Sequence, residues 1–312
     1  MAEHPPVLRH PNKRLVFEIA CPAGSAVSGT LTYTRWKAMP LPAEVAVRAA
    51  AERVEARDGL YDYAPVPAGA VHWHVNFADP ELFVAYGSAL FAQDEVQVAE
   101  HPVLGALREA LVAEGRRAVT VQDRVPAPVL VRGVERRCRI ETGRNAAEGR
   151  PDGLYGKAFA GASAEALRRA VTRLEPPTIT NLIAMAAPAY GRGSYQAREV
   201  DFILTTAYTG FRAAVLESPG AGESVPMVVV HTGFWGCGAF GGNRVLMAAL
   251  QALAAEMAGL HGMVLHTAGS AGAWTQAKAM LGELDSRTPA SVPALIQQLV
   301  ARRLEWGVSD GN

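Results

Sequence analysis

A glycine-rich loop between a strand and a helix is the feature of this sequence that most restricts its fold. The run 228–231 is apolar and β-branched up to His231, five glycines fall within the ten residues from Gly233 to Gly242, and a helical pattern begins at Asn243, a favoured N-cap residue. Successive glycine N–H groups can point into one concavity, and the helix N-terminus adds partial positive charge. The segment therefore predicts an anion site suited to a diphosphate, or else a tight turn that binds nothing.

The spacing Gly236-x-Gly238-x-x-Gly241 also matches the dinucleotide fingerprint of Rossmann folds. That fingerprint requires a following strand that ends in an acidic residue about 20 residues on, with further strand–helix units after it. Here the next strand-like run, 262–268, ends without an acid, and only helical patterns follow it. The sequence therefore disfavours a dinucleotide-dependent oxidoreductase, and we expect no cofactor.

The residues between the glycines are more specific than their spacing. The segment 232–242 carries Trp235, Cys237, Ala239 and Phe240 among its glycines, and it resembles the diphosphate loop of the poly(ADP-ribose) glycohydrolases, whose fold is a macrodomain. The resemblance continues along the helix to 250–254. It implies a second block upstream, in which a strand bearing aspartate or asparagine is followed by Gln-Glu-Glu.

The chain supplies a counterpart of that upstream block without a gap. Asn76 and Asp79 follow the run 71–75, and Gln93, Asp94 and Glu95 come after a short loop. A helix is predicted from about Gln93, interrupted at Pro102 and resumed over 103–114. Adjacent carboxylates at a helix N-terminus are in general more often dipole partners than catalysts, but the family resemblance favours a catalytic role for Glu95.

The strand 71–78 places His72, His74 and Asn76 on one face, because side chains alternate along a strand. A His-x-His pair on a strand can hold a metal ion, but no third ligand stands at usable spacing. Packed or hydrogen-bonded histidines are the favoured interpretation, with zinc or iron as the alternative, and we assign no metal site.

Composition and charge indicate an ordinary globular chain. The 312 residues are 49% hydrophobic with a formal net charge of zero, so nothing suggests direct nucleic-acid or membrane binding. Cys21, Cys138 and Cys237 are too few and too scattered for a disulfide framework or a zinc cluster. The start has no signal-peptide pattern, and no apolar run approaches about 20 residues. We therefore expect a cytoplasmic protein.

Strand and helix patterns alternate along most of the chain. Residues 1–69 are expected to form an N-terminal extension packed on the core, with a helix over 43–56 and a loop over 59–69, and residues 70–312 a macrodomain-like glycohydrolase domain. Besides the elements already given, the patterns predict strands at 117–121, 128–132, 178–186 and 263–267, and helices at 164–173, 198–214, 274–281 and 292–306. The expected fold is a three-layer α/β macrodomain-like structure, with a mixed sheet flanked by helices.

The resemblance implies roles position by position. Glu95 is the general acid, and Asp94 stands where the family has its first glutamate. Asp79 stands where the family has an asparagine on the terminal ribose, and Phe240 packs on the sugar. The expected substrate-binding residues are Asn76, Asp79, Gln93, Gly236, Cys237, Gly238, Ala239, Phe240, Gly241 and Gly242, and the expected ligand is ADP-ribose or a related nucleotide conjugate.

Departures from the family pattern affect both ends of the expected ligand. Three consecutive family glycines near the terminal ribose correspond to Phe83, Val84 and Ala85, so a bulky side chain is expected beside the sugar. Phe234 replaces an asparagine in the diphosphate loop, and Ala268 replaces an aromatic residue after the last strand. The segment between Val121 and Val134 contains no tyrosine to stack on adenine, although the family has one in that region.

Two functions remain open from the sequence. The first is a glycosidase that cleaves a ribosyl bond in an ADP-ribose or related nucleotide conjugate, with activity on the polymer itself in doubt. The second is a module that binds ADP-ribose or another nucleotide diphosphate without turnover. Ligand titration beside a product assay distinguishes them.

Overall fold

The centre of the molecule is a seven-stranded sheet, seen in a computed structural model that describes residues 1–25, 29–218, 226–284 and 289–311. From one edge to the other its strands are β1 (Thr32–Arg35), β7 (Val129–Ile140), β8 (Val171–Met185), β4 (Ala70–Phe77), β9 (Met227–Thr232), β10 (Gly262–His266) and β3 (Val54–Arg57). Two small pairs lie apart from it: β2 (Glu44–Val45) with β11 (Ala290–Ser291), and β5 (Val121–Gln122) with β6 (Val125–Pro126).

The parallel strands of the sheet have their carboxyl ends at the same end of the sheet, which is where ligands usually bind. β8, β4, β9, β10 and β3 are parallel, whereas β7 is antiparallel to both β1 and β8. After β4 the chain builds β7 and β8 on one side and then crosses to build β9 on the other. In open α/β sheets the crevice at such a reversal, outside the carboxyl ends of the strands, is the usual ligand site.

Helices cover both faces of the sheet. α2 (Val47–Glu52), α6 (Ala197–Glu217), α7 (Arg244–Ala258), α8 (Ala271–Glu283) and α9 (Val292–Ala301) belong to one layer, and α1 (Pro11–Ala20), α3 (Gln93–Glu100), α4 (Val103–Ala113) and α5 (Ala164–Ala170) to the other. Short 3-10 turns occur at Ala146–Glu148 and Gly156–Gly161. The three-layer α/β arrangement expected from the sequence is confirmed.

Each layer encloses its own hydrophobic core. Trp73 and Val75 of β4 point towards α6 and α7, and the alternate side chains of the same strand point to the opposite face. α7 buries a run of alanines, and these small side chains allow its backbone to approach α6 and the sheet closely. Within the described ranges, no helix is long and apolar enough to cross a membrane.

The helix predicted over 43–56 is wrong. The segment instead forms β2, the short helix α2 and β3. Val45 pairs with Ala290, and Val54 pairs with Met263 in the central sheet, so long-range strand pairing overrides the local alanine-rich helical pattern. Residues 1–69 thus supply both edge strands of the sheet, and a domain boundary at residue 69 stays a prediction.

Most other elements are found where the patterns predict them. α3 begins at Gln93, and α4 resumes after Pro102. The strand expected at 117–121 is wrong except at its end, because only Val121–Gln122 is a strand and Val119 makes an isolated bridge to Glu81. α9 ends at Ala301, well before Trp306, whose ring stacks on Tyr195 instead.

Candidate active site

A cleft of about 760 Å³ lies at the carboxyl ends of β4, β9 and β10. Its lining includes Asp79 after β4, Gln93 to Glu95 at the start of α3, and the segment 233–240 after β9. The two sequence blocks are about 140 residues apart in the chain, yet parallel strand pairing brings their carboxyl ends side by side. The acid pair and the glycine-rich loop therefore form two walls of one cleft.

The glycine-rich loop is fastened to three neighbouring elements. Trp235, which is fully buried, donates its indole N–H to the carbonyl of Met185 at the end of β8 (2.8 Å). Gln251 of α7 donates to the carbonyl of Gly233 (3.0 Å). The Oδ1 atom of Asn243 accepts from the N–H groups of Val245 and Leu246, so the predicted N-cap is confirmed.

Two kinds of constraint require glycine in this loop. Gly236 and Gly241 have φ angles of +75° and +71°, a region that side chains disfavour. A Cβ atom on Gly236 would lie 2.5 Å from the Cβ of Ala187, and one on Gly242 would lie 2.7 Å from the carbonyl oxygen of Gly236. Glycines here fix the shape of the turn, while Gly238 lacks a left-handed φ angle and borders the cleft.

Backbone donors are available on the cleft side of the loop. The N–H of Gly242 is used within the turn, on the carbonyl of Gly236 (2.8 Å). No hydrogen bond between described residues uses the N–H groups of Gly238, Ala239 or Phe240, each of which lines the cleft. Free amides beside the N-terminus of α7 form a concavity that can hold an anion.

The sequence also predicts Cys237, Phe240, Gly241 and Gly242 of this loop as substrate-binding residues. The thiol of Cys237 is buried, donates to the carbonyl of Trp235 (3.6 Å), and has its pKa raised to about 12 by burial. Gly241 and Gly242 lie outside the cleft lining. Phe240 lines the cleft, with the ring of Tyr190 edge-on at 6.0 Å.

On the opposite wall, Gln93 joins α3 to the end of β4. Its Oε1 accepts from the N–H of Phe77 (2.7 Å), and its Nε2 donates to the carbonyl of Val75 (3.1 Å). The side chain thus satisfies backbone groups that a further strand residue would otherwise pair. This contact fixes the first turn of α3, and with it the two carboxylates, against the sheet.

Asp94 is a buried carboxyl group that is hydrogen-bonded to a residue of β4. Asn76, which is fully buried on β4, donates from Nδ2 to its Oδ1 (3.0 Å). Burial raises the pKa of Asp94 to about 8, the neighbouring Glu95 charge adds to the rise, and the Asn76 hydrogen bond opposes it. Asn76 is not among the residues that line the cleft, so it contacts the acid pair rather than the open space.

Glu95 is likewise buried, and like Asp94 it lines the cleft. Its Oε2 accepts from the N–H of Ala92 (2.9 Å), which satisfies a free donor at the start of α3. Burial raises the pKa of Glu95, whereas the charge of Lys13 lowers it. Because burial raises the pKa of both adjacent carboxyl groups, the pair can retain one proton for transfer at neutral pH.

The segment after β4 corrects one expectation. Phe83 does not lie beside the cleft: it is fully buried in the core under α3 and α4, with a φ angle of +54°. The backbone keeps a left-handed conformation typical of glycine while the ring turns inward. Val84 and Ala85 line the cleft instead. Asp79 also lines it, and its Oδ1 accepts from the N–H of Glu81 (2.9 Å).

Aromatic residues that the sequence reasoning missed also line the cleft. Tyr155 comes from the polar loop 142–156, and burial raises its pKa to about 12. Tyr190 follows β8, is 69% exposed and has a φ angle of +58°. An aromatic side chain in an otherwise polar loop is the signal that could have marked Tyr155.

His72 of β4 forms a hydrogen-bonded row with histidines of the neighbouring strands β9 and β10. His231 contacts His72 at 3.0 Å and His266 at 3.1 Å, and the ring of His74 stacks on His231. Burial lowers the pKa of His231 to about 3, so the ring is neutral at physiological pH. Among the residues that the structure describes, no group of three or more His, Cys, Asp or Glu could hold a metal ion.

The C-terminal segment reaches the glycine-rich loop. The N–H of Asp310 donates to the carbonyl of Gly238 (3.4 Å), and a Cβ atom on Gly238 would lie 3.1 Å from Oδ2 of Asp310. Asp310 lines the cleft. A carboxylate therefore stands beside the free amides.

Comparisons with known proteins agree with this architecture. The family described as "Poly (ADP-ribose) glycohydrolase (PARG), Macro domain fold" matches residues 155–273, which include the glycine-rich loop but not Glu95. This match confirms the family resemblance seen in the sequence, and no curated protein matches the chain.

Solved structures of the same family are similar in fold. Poly(ADP-ribose) glycohydrolase from Thermomonospora curvata bound to the inhibitor ADP-HPD has a TM-score of 0.50 at 16% identity, over 95% of this chain and 100% of that one. Another structure of the same protein gives 0.48 at 15% identity, over 86% and 98%. The Deinococcus radiodurans protein in complex with ADP-ribose gives 0.44 at 16% identity, over 75% and 90%. The macrodomain fold expected from the sequence is confirmed.

Proposed function

We propose that this divergent relative of the poly(ADP-ribose) glycohydrolases hydrolyses the ribosyl glycosidic bond of an ADP-ribose or related nucleotide conjugate, with Glu95 as general acid. One observation carries the proposal: the Asp94–Glu95 pair and the free amides of the glycine-rich loop line the same cleft. An anion site beside a protonated carboxyl group suits a substrate that has a diphosphate near the bond to be cleaved.

The chemistry follows from these two walls. The amides of Gly238, Ala239 and Phe240 bind the diphosphate and fix the position of the attached ribose. Glu95 donates its proton to the leaving oxygen as the bond between that oxygen and the anomeric carbon breaks. A water molecule then attacks the oxocarbenium-like carbon and releases its own proton to solvent. Asp94 helps keep one transferable proton in the pair, because two adjacent carboxyl groups resist double ionisation.

Substrate size is set by the residues that stand in place of the family's three glycines. Val84 and Ala85 add side chains to the cleft lining beside Asp79. Added side chains leave less room for a second ribose unit. We therefore expect weak or absent hydrolysis of poly(ADP-ribose), and faster hydrolysis of a smaller ribosyl conjugate. Val84→Gly combined with Ala85→Gly should raise the rate on the polymer relative to the small conjugate.

Chromatography of the released nucleotide tests the proposal. Wild type and Glu95→Gln are incubated with a singly ADP-ribosylated peptide and with poly(ADP-ribose). Glu95→Gln keeps size and hydrogen-bonding capacity but lacks a transferable proton, so its rate should fall by about a hundredfold to ten-thousandfold. Equal rates for the two proteins would remove Glu95 as the acid, and efficient hydrolysis of the polymer by wild type would contradict the size argument.

A second function is favoured by a different observation. The amides of Gly238, Ala239 and Phe240 can hold a diphosphate whether or not the Asp94–Glu95 pair transfers a proton. The alternative is a binding module for ADP-ribose or another nucleotide diphosphate. Calorimetric binding of ADP-ribose by wild type, with no nucleotide released from any of the conjugates, would favour this function over hydrolysis.

A further inference from the structure

The N-terminal helix α1 contributes a buried cation to the underside of the acid wall. Lys13 has no exposed surface, and its Nζ donates to the carbonyl of Tyr86 (2.8 Å). The same Nζ lies 4.9 Å from the ring centre of Phe91 and 5.6 Å from that of Phe159. Phe91 directly precedes the first turn of α3, and α1 packs against α3.

A charge in such a place needs compensation. Burying an ammonium group away from water is unfavourable unless opposite charges or hydrogen bonds replace its hydration. One carbonyl and two ring faces provide part of that compensation, and Lys13 forms no direct ion pair with any residue that the structure describes. Burial lowers the pKa of Lys13 to about 8, and the Glu95 and Asp94 carboxylates, in that order, oppose the change.

We propose that Lys13 is a positioning residue for the acid pair: its buried ammonium balances the single negative charge that Asp94 and Glu95 share. The inference rests on the proposed function, and it assigns a role in catalysis to a segment outside both sequence blocks. Lys13 lies outside the cleft lining, so it acts through the pair and does not touch the substrate.

Burial raises the pH at which the pair loses its transferable proton, and the charge of Lys13 lowers it. A nearby cation favours the ionised carboxylates, so removing it raises their pKa. The other ionisable groups around the pair are Asp79 after β4 and Tyr155 from the 142–156 loop, and Tyr155 in turn faces Asp310. These groups carry negative charge when ionised, so they oppose Lys13. Activity that requires the proton should fall as pH rises through the pKa of the pair, and it should fall at higher pH without Lys13.

Charge-deleting and charge-keeping variants test the proposal through the pH–rate profile. Lys13→Gln keeps a donor for the Tyr86 carbonyl but has no charge, and its alkaline midpoint should move up by about one pH unit. Lys13→Arg keeps the charge and should retain the midpoint of wild type. Asn12→Ala is the matched control, because Asn12 fastens the same helix to the carbonyls of Phe159 and Ala162 without contributing charge. It should lose stability and keep the midpoint.

Carboxyl carbon NMR titration of the free protein provides a readout that needs no turnover. The Asp94 and Glu95 resonances, assigned with Asp94→Asn and Glu95→Gln, should titrate at higher pH in Lys13→Gln than in wild type. If wild type hydrolyses nothing, the proposed function fails while this titration still decides the role of Lys13. If Lys13→Gln does not fold, Lys13→Met is the second neutral variant. An unchanged midpoint in the neutral variant, or an equal shift in Asn12→Ala, would overturn the proposal.

Discussion

The two walls of the cleft are built in different ways. The glycine-rich wall uses backbone amides from one continuous stretch, fixed by Trp235, Gln251 and Asn243. The acid wall uses ionisable side chains whose properties depend on distant segments, since Asn76 of β4 donates to Asp94 and the charge of Lys13 in α1 lowers the pKa of Glu95 against the effect of burial. A site built from backbone amides can thus be predicted from its local sequence. A site built from buried charges depends on residues that only the tertiary structure brings together.

The largest effect should come from placing a charge on the backbone wall. Gly238→Glu puts a carboxylate beside the free amides, and like charges held together cost several kcal/mol. ADP-ribose affinity should fall by at least about a hundredfold, while the fold is kept because Gly238 has no left-handed φ angle. Isothermal titration calorimetry measures the affinity. Unchanged binding would mean that the loop is only a structural turn.

Changing the shape of the same wall should affect stability instead. Gly236→Ala imposes a side chain at a φ angle of +75° and within 2.5 Å of Ala187, so we expect a loss of about 2–4 kcal/mol in the free energy of unfolding. Gly238→Ala is the matched control. Its Cβ would meet chiefly the end of the Asp310 side chain, and the loss should stay below about 1 kcal/mol. If urea denaturation gave equal losses in the free energy of unfolding for the two variants, Gly236 would not be the residue that fixes the shape of the turn.

The acid wall should destabilise the fold as pH rises. Because the pKa of Asp94 is raised to about 8, mainly by burial, its stabilising contribution is complete below the unfolded pKa of about 3.9 and is lost as pH rises through about 8. Asp94→Asn cannot ionise. Its free energy of unfolding relative to wild type should therefore increase by at least about 1 kcal/mol between pH 4 and pH 9.

Urea denaturation across that pH range measures the difference. Gly238→Ala, on the other wall, introduces no titratable group, so its difference from wild type should stay constant with pH. A constant difference for Asp94→Asn as well would show that Asp94 ionises as freely in the folded state as in the unfolded chain.

The smallest effect should come from the C-terminal segment. Asp310 is exposed, so its repulsion of a bound diphosphate is screened by solvent. Asp310→Asn should raise ADP-ribose affinity by about twofold to fivefold at low salt, with the difference shrinking at high salt. Ser309→Ala is a control in the same segment. Weaker binding by Asp310→Asn would mean that the carboxylate helps to hold the ligand.

The contrast between the walls also explains what the sequence could predict. The strand, loop and N-cap around Gly236 follow local rules, so they are found where the pattern places them. The family's matched region likewise contains this wall and stops short of Glu95. The position of Glu95 at a helix start was also predictable, because the pattern after Gln93 is local.

Other features required the folded structure. Nothing in the sequence around Lys13 indicates that its ammonium is buried against Tyr86 and Phe91, more than 70 residues away in the chain. The inward turn of Phe83 depends on a left-handed backbone conformation that its residue type does not suggest. The failed helix over 43–56 has the same cause, since strand partners at Ala290 and Met263 are far away in the chain.

The central claim is that two walls of one cleft act on one ligand, the glycine-rich wall by binding and the acid wall by proton transfer. The most direct test measures ADP-ribose affinity together with the single-turnover rate of ADP-ribose release, in wild type, Glu95→Gln and Gly238→Glu. Glu95→Gln should keep the affinity of wild type and lose about a hundredfold to ten-thousandfold in rate, whereas Gly238→Glu should lose the affinity. A Glu95→Gln protein that releases ADP-ribose at the wild-type rate, or a Gly238→Glu protein that binds ADP-ribose as wild type does, would contradict the claim.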